Sequence, residues 1–221
     1  MQKVSEIVKT DALYQLSSKD APQLIPLLTE CFEQDPLYHV LIPDKALRDK
    51  ILPEIFNCDV EELFENCQVF ADSPEINGII VVSDESEPYD PIRYYASEAF
   101  YQLKTDAFLI KDDLSLRTLW NFIKGKSYLN SSWTHELHQD NRLHIIYFAV
   151  RPAMRGHGIA DKLMDGVIDY AEENGLLISL ETHNCSNVEL YQHFGFNIYK
   201  IERRKFDLTQ YCMVRHPMGG Q

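Results

Sequence analysis

The chain has 221 residues, with 34 Asp and Glu against 21 Lys and Arg, a formal net charge of −13 at pH 7. This length suits one domain with a substantial core, and the acidic balance argues against nonspecific nucleic-acid binding, which needs basic patches to displace counterions. Met1 to Thr10 lack the apolar run of a signal peptide, no apolar stretch approaches the roughly 20 residues of a membrane span, and the five cysteines form no C-x-x-C pair, so a cytoplasmic protein without membrane or nucleic-acid partners is expected.

In chain order, Gln68 to Asp72 and Ile76 to Ser83 are predicted strands around Ser73-Pro74-Glu75, with Asn77 and Gly78 as bend residues. The segment from Asp84 to Pro91 is a loop by composition, and helical periodicity follows over Ile92 to Leu103 and Leu114 to Tyr128. Leu143 to Val150 is a strand rich in β-branched and aromatic residues. It runs into Arg151-Pro152-Ala153-Met154-Arg155-Gly156-His157-Gly158, after which Ile159, Leu163, Met164, Val167, Ile168 and Ala171 recur at helical spacing. A buried strand is predicted over Leu176 to Thr182. Asn184 or Ser186 can then cap a short helix bearing Tyr191, which Gly195 ends before a strand from Phe196 to Ile201. The final Gly219-Gly220-Gln221 should fray.

The strand, glycine turn and helix around residue 156 form a cradle for phosphates: the first helical N–H groups lack internal partners, the helix dipole is positive there, and glycine lets an anion approach. A Walker loop would need Lys and then Ser or Thr where Ile159 and Ala160 stand. A dinucleotide fingerprint would need Gly or Ala at Asp161. Arg155-x-x-Gly158-x-Ala160 instead resembles the coenzyme A loop of the GNAT acetyltransferase superfamily.

Leu180-Glu181-Thr182, then Asn184-x-x-Asn187-Val188, then Tyr191-x-x-x-Gly195-Phe196 is similar, in order and spacing, to the ending of one broad branch of that superfamily. More loosely, Tyr14 to Asp20, an amphipathic segment to Phe32 and Asp35-Pro36-Leu37 resemble its opening strand and helix. The resemblance implies an α/β (α+β) fold: a single GNAT-like domain over residues 1–221 with a mixed, strongly twisted central sheet flanked by helices. Residues 142–201 would be its coenzyme-binding core. Residues 84–141 would be a helical insertion, either beside the acceptor groove or serving as a packing or dimer element.

The implied activity is acetyl transfer from acetyl-CoA, as cosubstrate and without a metal, to a primary amine of a small molecule or peptide by direct attack on the thioester. The alternative is a catalytically inactive coenzyme A-binding or regulatory protein of the same fold. A different donor such as succinyl-CoA would need a basic partner for its extra carboxylate. The resemblance makes Tyr191 the acid that serves the departing thiolate. His144, on the strand leading into the loop, is the candidate base, since imidazole ordinarily titrates near roughly 6.5. Alternation puts His144 on one face with Ile146, Phe148 and Val150 until a bulge intervenes. Main-chain groups of Phe148, Ala149 and Val150 would meet the oxyanion and the pantetheine arm. Arg155, Gly156, His157, Gly158, Ile159 and Ala160 would meet the pyrophosphate, with Asn184 a further contact to the arm.

His135 and His138 lack a zincin's spacing and a third ligand, and Cys185 has no assignable His and Asp partners, so neither carries a site. The acidic surface can steer a cationic amine, although solubility explains it as well. Tyr94, Tyr95, Phe100, Tyr101, Trp120 and Phe122 fit either an acceptor pocket or a small core, and a homodimer is compatible with the resemblance.

Overall fold

The apolar strands predicted from residues 76 and 143 onward pair as neighbours although the chain between them is long, because each is buried on both faces and only a sheet satisfies its backbone. A computed structural model describes residues 13–84, 101, 104–113, 116–129, 131–139, 141–203 and 206–218. Its sheet comprises β1 (Tyr14–Gln15), β2 (Gln68–Ala71), β3 (Gly78–Asp84), β4 (Arg142–Val150), β5 (Leu177–Thr182), β6 (Asn197–Arg203) and β7 (Thr209–Arg215), in the order β1-β2-β3-β4-β5-β7-β6. All pairings are antiparallel except β4 with β5. The helices are α1 (Ala21–Phe32), α2 (Pro36–Leu41), α3 (Lys45–Asn66), α4 (residues 104–112), α5 (Arg117–Leu129), α6 (Ile159–Asn174) and α7 (Cys185–His193). The expected mixed sheet flanked by helices is the observed one.

Helices cover both faces of the sheet. On one side Leu163, Met164, Val167 and Ala171 of α6 pack with Val188 and Tyr191 of α7 against Ile80, Leu143, Ile145, Ile178 and Leu180. Leu24, Leu27 and Leu28 of α1 and Leu52, Phe56, Val60 and Leu63 of α3 cover Val69, Ile79, Val81 and Ala149 on the other. Each such side chain contributes roughly 1.5–3 kcal/mol on burial. A third cluster joins Leu41 of α2 and Ile51 and Ile55 of α3 to Leu109 and Phe122.

Where boundaries differ from expectation, turns and caps account for it. β3 begins at Gly78 rather than Ile76, because the Asp72 carboxylate accepts from Asn77 N at 2.9 Å and Gly78 N at 2.8 Å and holds Ile76 in a turn at φ 53°. α5 starts at Arg117 rather than Leu114, after Leu116 at φ 59°. There Asp113 accepts from the Thr118 backbone at 2.9 Å. Leu176 and Phe196 stay outside their strands because their N–H groups close the preceding helices, on Ala171 O at 2.8 Å and Tyr191 O at 3.0 Å. Most of the predicted Ile92 to Leu103 helix lies outside the described residues, as do Tyr94, Tyr95 and Phe100. Tyr101 and Phe122 are buried, and Trp120 is 62% exposed.

The sequence reading passed over α2, α3, α4 and β7. α3 divides its apolar side chains between two clusters, with Leu52 and Phe56 in one and Ile51 and Ile55 in the other, so no single apolar stripe marks it. Its interior Pro53 adds a helix-breaking signal. α2 and α3 nonetheless start on local caps, Asp35 accepting from Leu37 N at 2.9 Å and Asp44 from Leu47 N at 2.8 Å, each worth about 1 kcal/mol.

Candidate active site

The site arises where β4 and β5 part. They pair in parallel only from Arg142 with Leu177 to Ile145 with Leu180. Beyond that point β4 follows β3 while β5 follows β7. At the same place the β3–β4 register slips: Val82 opposes Ile145 and Val81 opposes Tyr147, so Ile146 is an extra, bulged residue. From Ile146 to Val150 one edge of β4 therefore has no strand beside it. A groove of about 540 Å³ runs along this edge to the start of α6, and a smaller cavity of about 180 Å³ lies toward the β4–β5 split. Phe148 and Tyr191 line both, as do Phe32 and Asp35.

The larger groove gathers most of the residues expected to meet a coenzyme. Phe148, Ala149 and Val150 form its strand wall, Arg155, Gly156, Gly158, Ile159 and Ala160 its phosphate end, and Asn184 its far side. Gly156 and Gly158 stand at φ 78° and 75°, and a side chain on either would meet nothing within 4 Å, so backbone conformation rather than crowding demands glycine there. Gly158 thereby turns the chain into α6, whose first N–H groups open onto the groove. Asn184 caps α7 by accepting from Ser186 N at 3.0 Å. His157 is not brought to the groove; its Nδ1 faces the carbonyls of Met154 and Arg155 at 3.2 and 3.1 Å on the exposed side of the turn. Cys31, which sequence reading left aside, lines the groove with its thiol on Val150 O at 3.4 Å. Burial pushes that thiol up to about 11, which leaves it protonated and unreactive at neutral pH.

The smaller cavity is built from side chains of α1, α2, α5, β4, β5 and α7, including Tyr38, Tyr128, Ser131, His144, Tyr147, Glu181 and His183. His144 precedes the bulge. Leu143, Ile145, Phe148 and Val150 pack in one core cluster and Tyr147 and Ala149 in the other, so the bulge leaves His144 on the face opposite Phe148. Its ring is 5% exposed, with Nδ1 2.9 Å from Ser179 Oγ and Nε2 2.8 Å from Ser131 Oγ and 3.4 Å from Glu181 Oε2. Ser131 donates to Glu181 Oε1 at 2.7 Å and Ser179 to Leu143 O at 3.2 Å. The expected base His144 thus stands inside a hydrogen-bonded cluster with Ser131, Ser179 and Glu181.

Its partner Glu181 also accepts from Trp133 Nε1 at 2.8 Å. Burial alone would raise this carboxyl, but the His144 charge and the hydrogen bonds from His144, Ser131 and Trp133 outweigh it and bring it down to about 2. Glu181 is a poor base for the same reason. His183 differs from His144: its Nε2 is buried with no hydrogen-bond partner, its ring meets Tyr128 edge-on at 5.8 Å, and burial, opposed by Glu181, lowers it to about 4. Asp35 is raised by burial despite the bond from Leu37 N. Beneath the cavity, Tyr147 donates to Asp59 at 2.7 Å, and Asp59, raised by burial against that bond, titrates at about 6.

Tyr191 reaches the junction from α7 with its ring 6.2 Å from Phe148. Burial first, and then the negative charges of Asp35 and Glu181, push its hydroxyl well above the ordinary phenol range, so it stays protonated. Arg155 folds back so that Nε lies 3.4 Å from Val150 O, with its guanidinium exposed at the groove. Among the described residues no group of three or more His, Cys, Asp or Glu is placed to hold a metal, and no helix is long and apolar enough to cross a membrane.

The sequence model of the acetyltransferase (GNAT) family matches residues 93–196. Over that stretch, a little under half of the chain, the sequence is similar to this family of acetyltransferases. A curated relative, an uncharacterized N-acetyltransferase of Schizosaccharomyces pombe, is 29% identical over 82 residues; the match spans 35% of this chain and about a third (33%) of the relative. Among solved structures, a Corynebacterium glutamicum protein described as histone acetyltransferase HPA2 and related acetyltransferase aligns at a TM-score of 0.61 and 19% identity, over 95% of this chain and 99% of the other. The Drosophila melanogaster polyamine N-acetyltransferase, described as forming N-acetylagmatine, aligns at 0.54 and 19%, over 92% and 98%. These likenesses concern the fold.

Proposed function

We propose that the chain transfers an acetyl group from acetyl-CoA to a primary amine of a small molecule or peptide, by direct attack of the amine on the thioester. The observation that carries this reading is the meeting of two openings at one point: a groove with a free strand edge and a glycine turn, and a small polar cavity, joined at Phe148 and Tyr191.

In this reading the unpaired edge of Phe148, Ala149 and Val150 hydrogen-bonds a strand-like pantetheine arm, and the N-terminus of α6 with Arg155 takes the pyrophosphate. The thioester then lies at the junction. A main-chain N–H by the bulge near Phe148 faces the carbonyl oxygen as it gains charge. The amine comes from the cavity side with its ammonium proton lost to solvent and forms the N–C bond as the C–S bond breaks; Tyr191, which stays protonated, donates to the departing sulfur, and the proton that the nitrogen sheds on becoming an amide restores the phenol. His144 and Glu181 meet at the split between β4 and β5, with Nε2 3.4 Å from Oε2. The acidic surface favours approach of a cationic amine, and five free thiols fit a reducing, cytoplasmic setting. The acceptor named for the Drosophila enzyme makes agmatine a sensible first amine to try, beside a peptide with a free N-terminus.

The test is calorimetric titration with acetyl-CoA, with Arg155→Glu as control, followed by an assay of coenzyme A release with those amines. Binding lost in the control, with release that depends on amine, is the expected result. A folded protein that binds no acetyl-CoA would defeat the proposal, and binding without release across amines would turn it toward the inactive coenzyme-binding alternative.

A further inference from the structure

The two histidines of the small cavity are used differently. His144 spends both nitrogens on Ser131 and Ser179, whereas His183, one step beyond the end of β5, keeps Nε2 buried with no partner. A buried polar atom without a partner costs on the order of 1–3 kcal/mol, and a site that tolerates the cost is one where a ligand can supply the missing bond. Facing the cavity with His183 are the carboxylates of Asp35 and Glu181, the His144 ring, and the phenols of Tyr38, Tyr128, Tyr147 and Tyr191. No Lys or Arg lines it among the described residues. Glu181 is already matched by its own donors, while Asp35 is occupied at Oδ1 by Leu37 N. The cavity therefore offers acceptors without a Lys or Arg charge, which suits a ligand group rich in N–H.

Resting on the acetyltransferase reading, we infer that Nε2 of His183 accepts an N–H from the amine substrate and makes His183 a determinant of acceptor recognition. Burial, against the opposing charge of Glu181, keeps the ring neutral at and well below neutral pH, so it neither repels an ammonium group nor loses its lone pair in that range. A neutral imidazole that carries its proton on Nδ1 has Nε2 as an acceptor, and His183 lines the cavity. The volume of about 180 Å³ admits a compact amine or the end of a longer one.

The experiment uses the full chain labelled with ¹⁵N-histidine, observed by nitrogen–proton correlation at pH 5 to 8, alone and with coenzyme A, while n-propylamine is added as a minimal primary amine. Expected is an unprotonated Nε2 signal for His183 throughout that range, which moves saturably with propylamine. His183→Leu should weaken propylamine binding at least tenfold. His183→Gln, which keeps an acceptor, should lose less, and both variants should bind acetyl-CoA as the parent does. An Nε2 that carries the proton, a signal unmoved by propylamine, or a His183→Leu variant that binds propylamine normally would overturn the inference. Failure of the acetyltransferase reading is distinct, because it appears as absence of acetyl-CoA binding or turnover, whereas the His183 signal reports amine contact alone.

Discussion

The groove and the cavity that meet at Tyr191 are built in opposite ways. The groove is local and made of backbone: a strand, a glycine turn and a helix start within residues 148–160, with side chains that mostly stand aside. The cavity is non-local and made of side chains from six elements, with buried polar groups matched across Ser131, His144, Ser179 and Glu181. A main-chain groove tolerates change in most side chains and fails when its glycines or its one arginine are altered. A charge-bearing cavity fails in stability as soon as one member of its network is removed.

The sharpest way to break this contrast is Glu181→Gln. It leaves the buried His144 charge without its counterion, and an expected destabilisation of about 3–5 kcal/mol should appear in chemical denaturation. A loss below about 1 kcal/mol would mean that the ring and the carboxylate do not form a charged pair.

Asp59 probes the layer beneath the cavity. Its folded-state value, raised to about 6 above the ordinary carboxylate range, means the folded chain binds the proton more tightly than the unfolded one. Stability should therefore fall as pH rises from about 4 through 6, by up to about 3 kcal/mol. Asp59→Asn should flatten that slope in denaturation curves taken across the interval, and an unchanged slope would place the titrating group elsewhere.

At the junction, Tyr191→Phe should cut turnover on the order of 100-fold with little change in acetyl-CoA affinity, since the phenol acts when the C–S bond breaks. Equal losses in affinity and rate would show that it serves packing instead. In the groove, Arg155→Glu should weaken acetyl-CoA binding at least tenfold without altering the denaturation midpoint, because the guanidinium is exposed. A shifted midpoint would mean that it supports the fold.

The same contrast separates what could be read from the chain. β4, the glycine turn, α6, β5 and the cap at Asn184 were legible because each is specified within a few residues by periodicity, positive-φ glycines or capping side chains. Tyr191 was legible through its motif. α3 was not, because its apolar residues serve two clusters and blur the periodicity, and the partners of His144 were not, because the bulge at Ile146 reverses the face it occupies relative to Phe148. Nothing near His183 in sequence announces an unpartnered nitrogen, since the orphaned atom is defined by what fails to reach it from α2, α5 and β4.

By itself the sequence determined the glycine turn before α6 and the order of strands and helices around it, because hydrogen-bonding needs within a short segment are met inside that segment. Only the tertiary structure decided which histidine is locked and which is open, because a proton's partners are chosen by side chains brought together from distant parts of the chain, as Ser131, Ser179 and Glu181 are around His144.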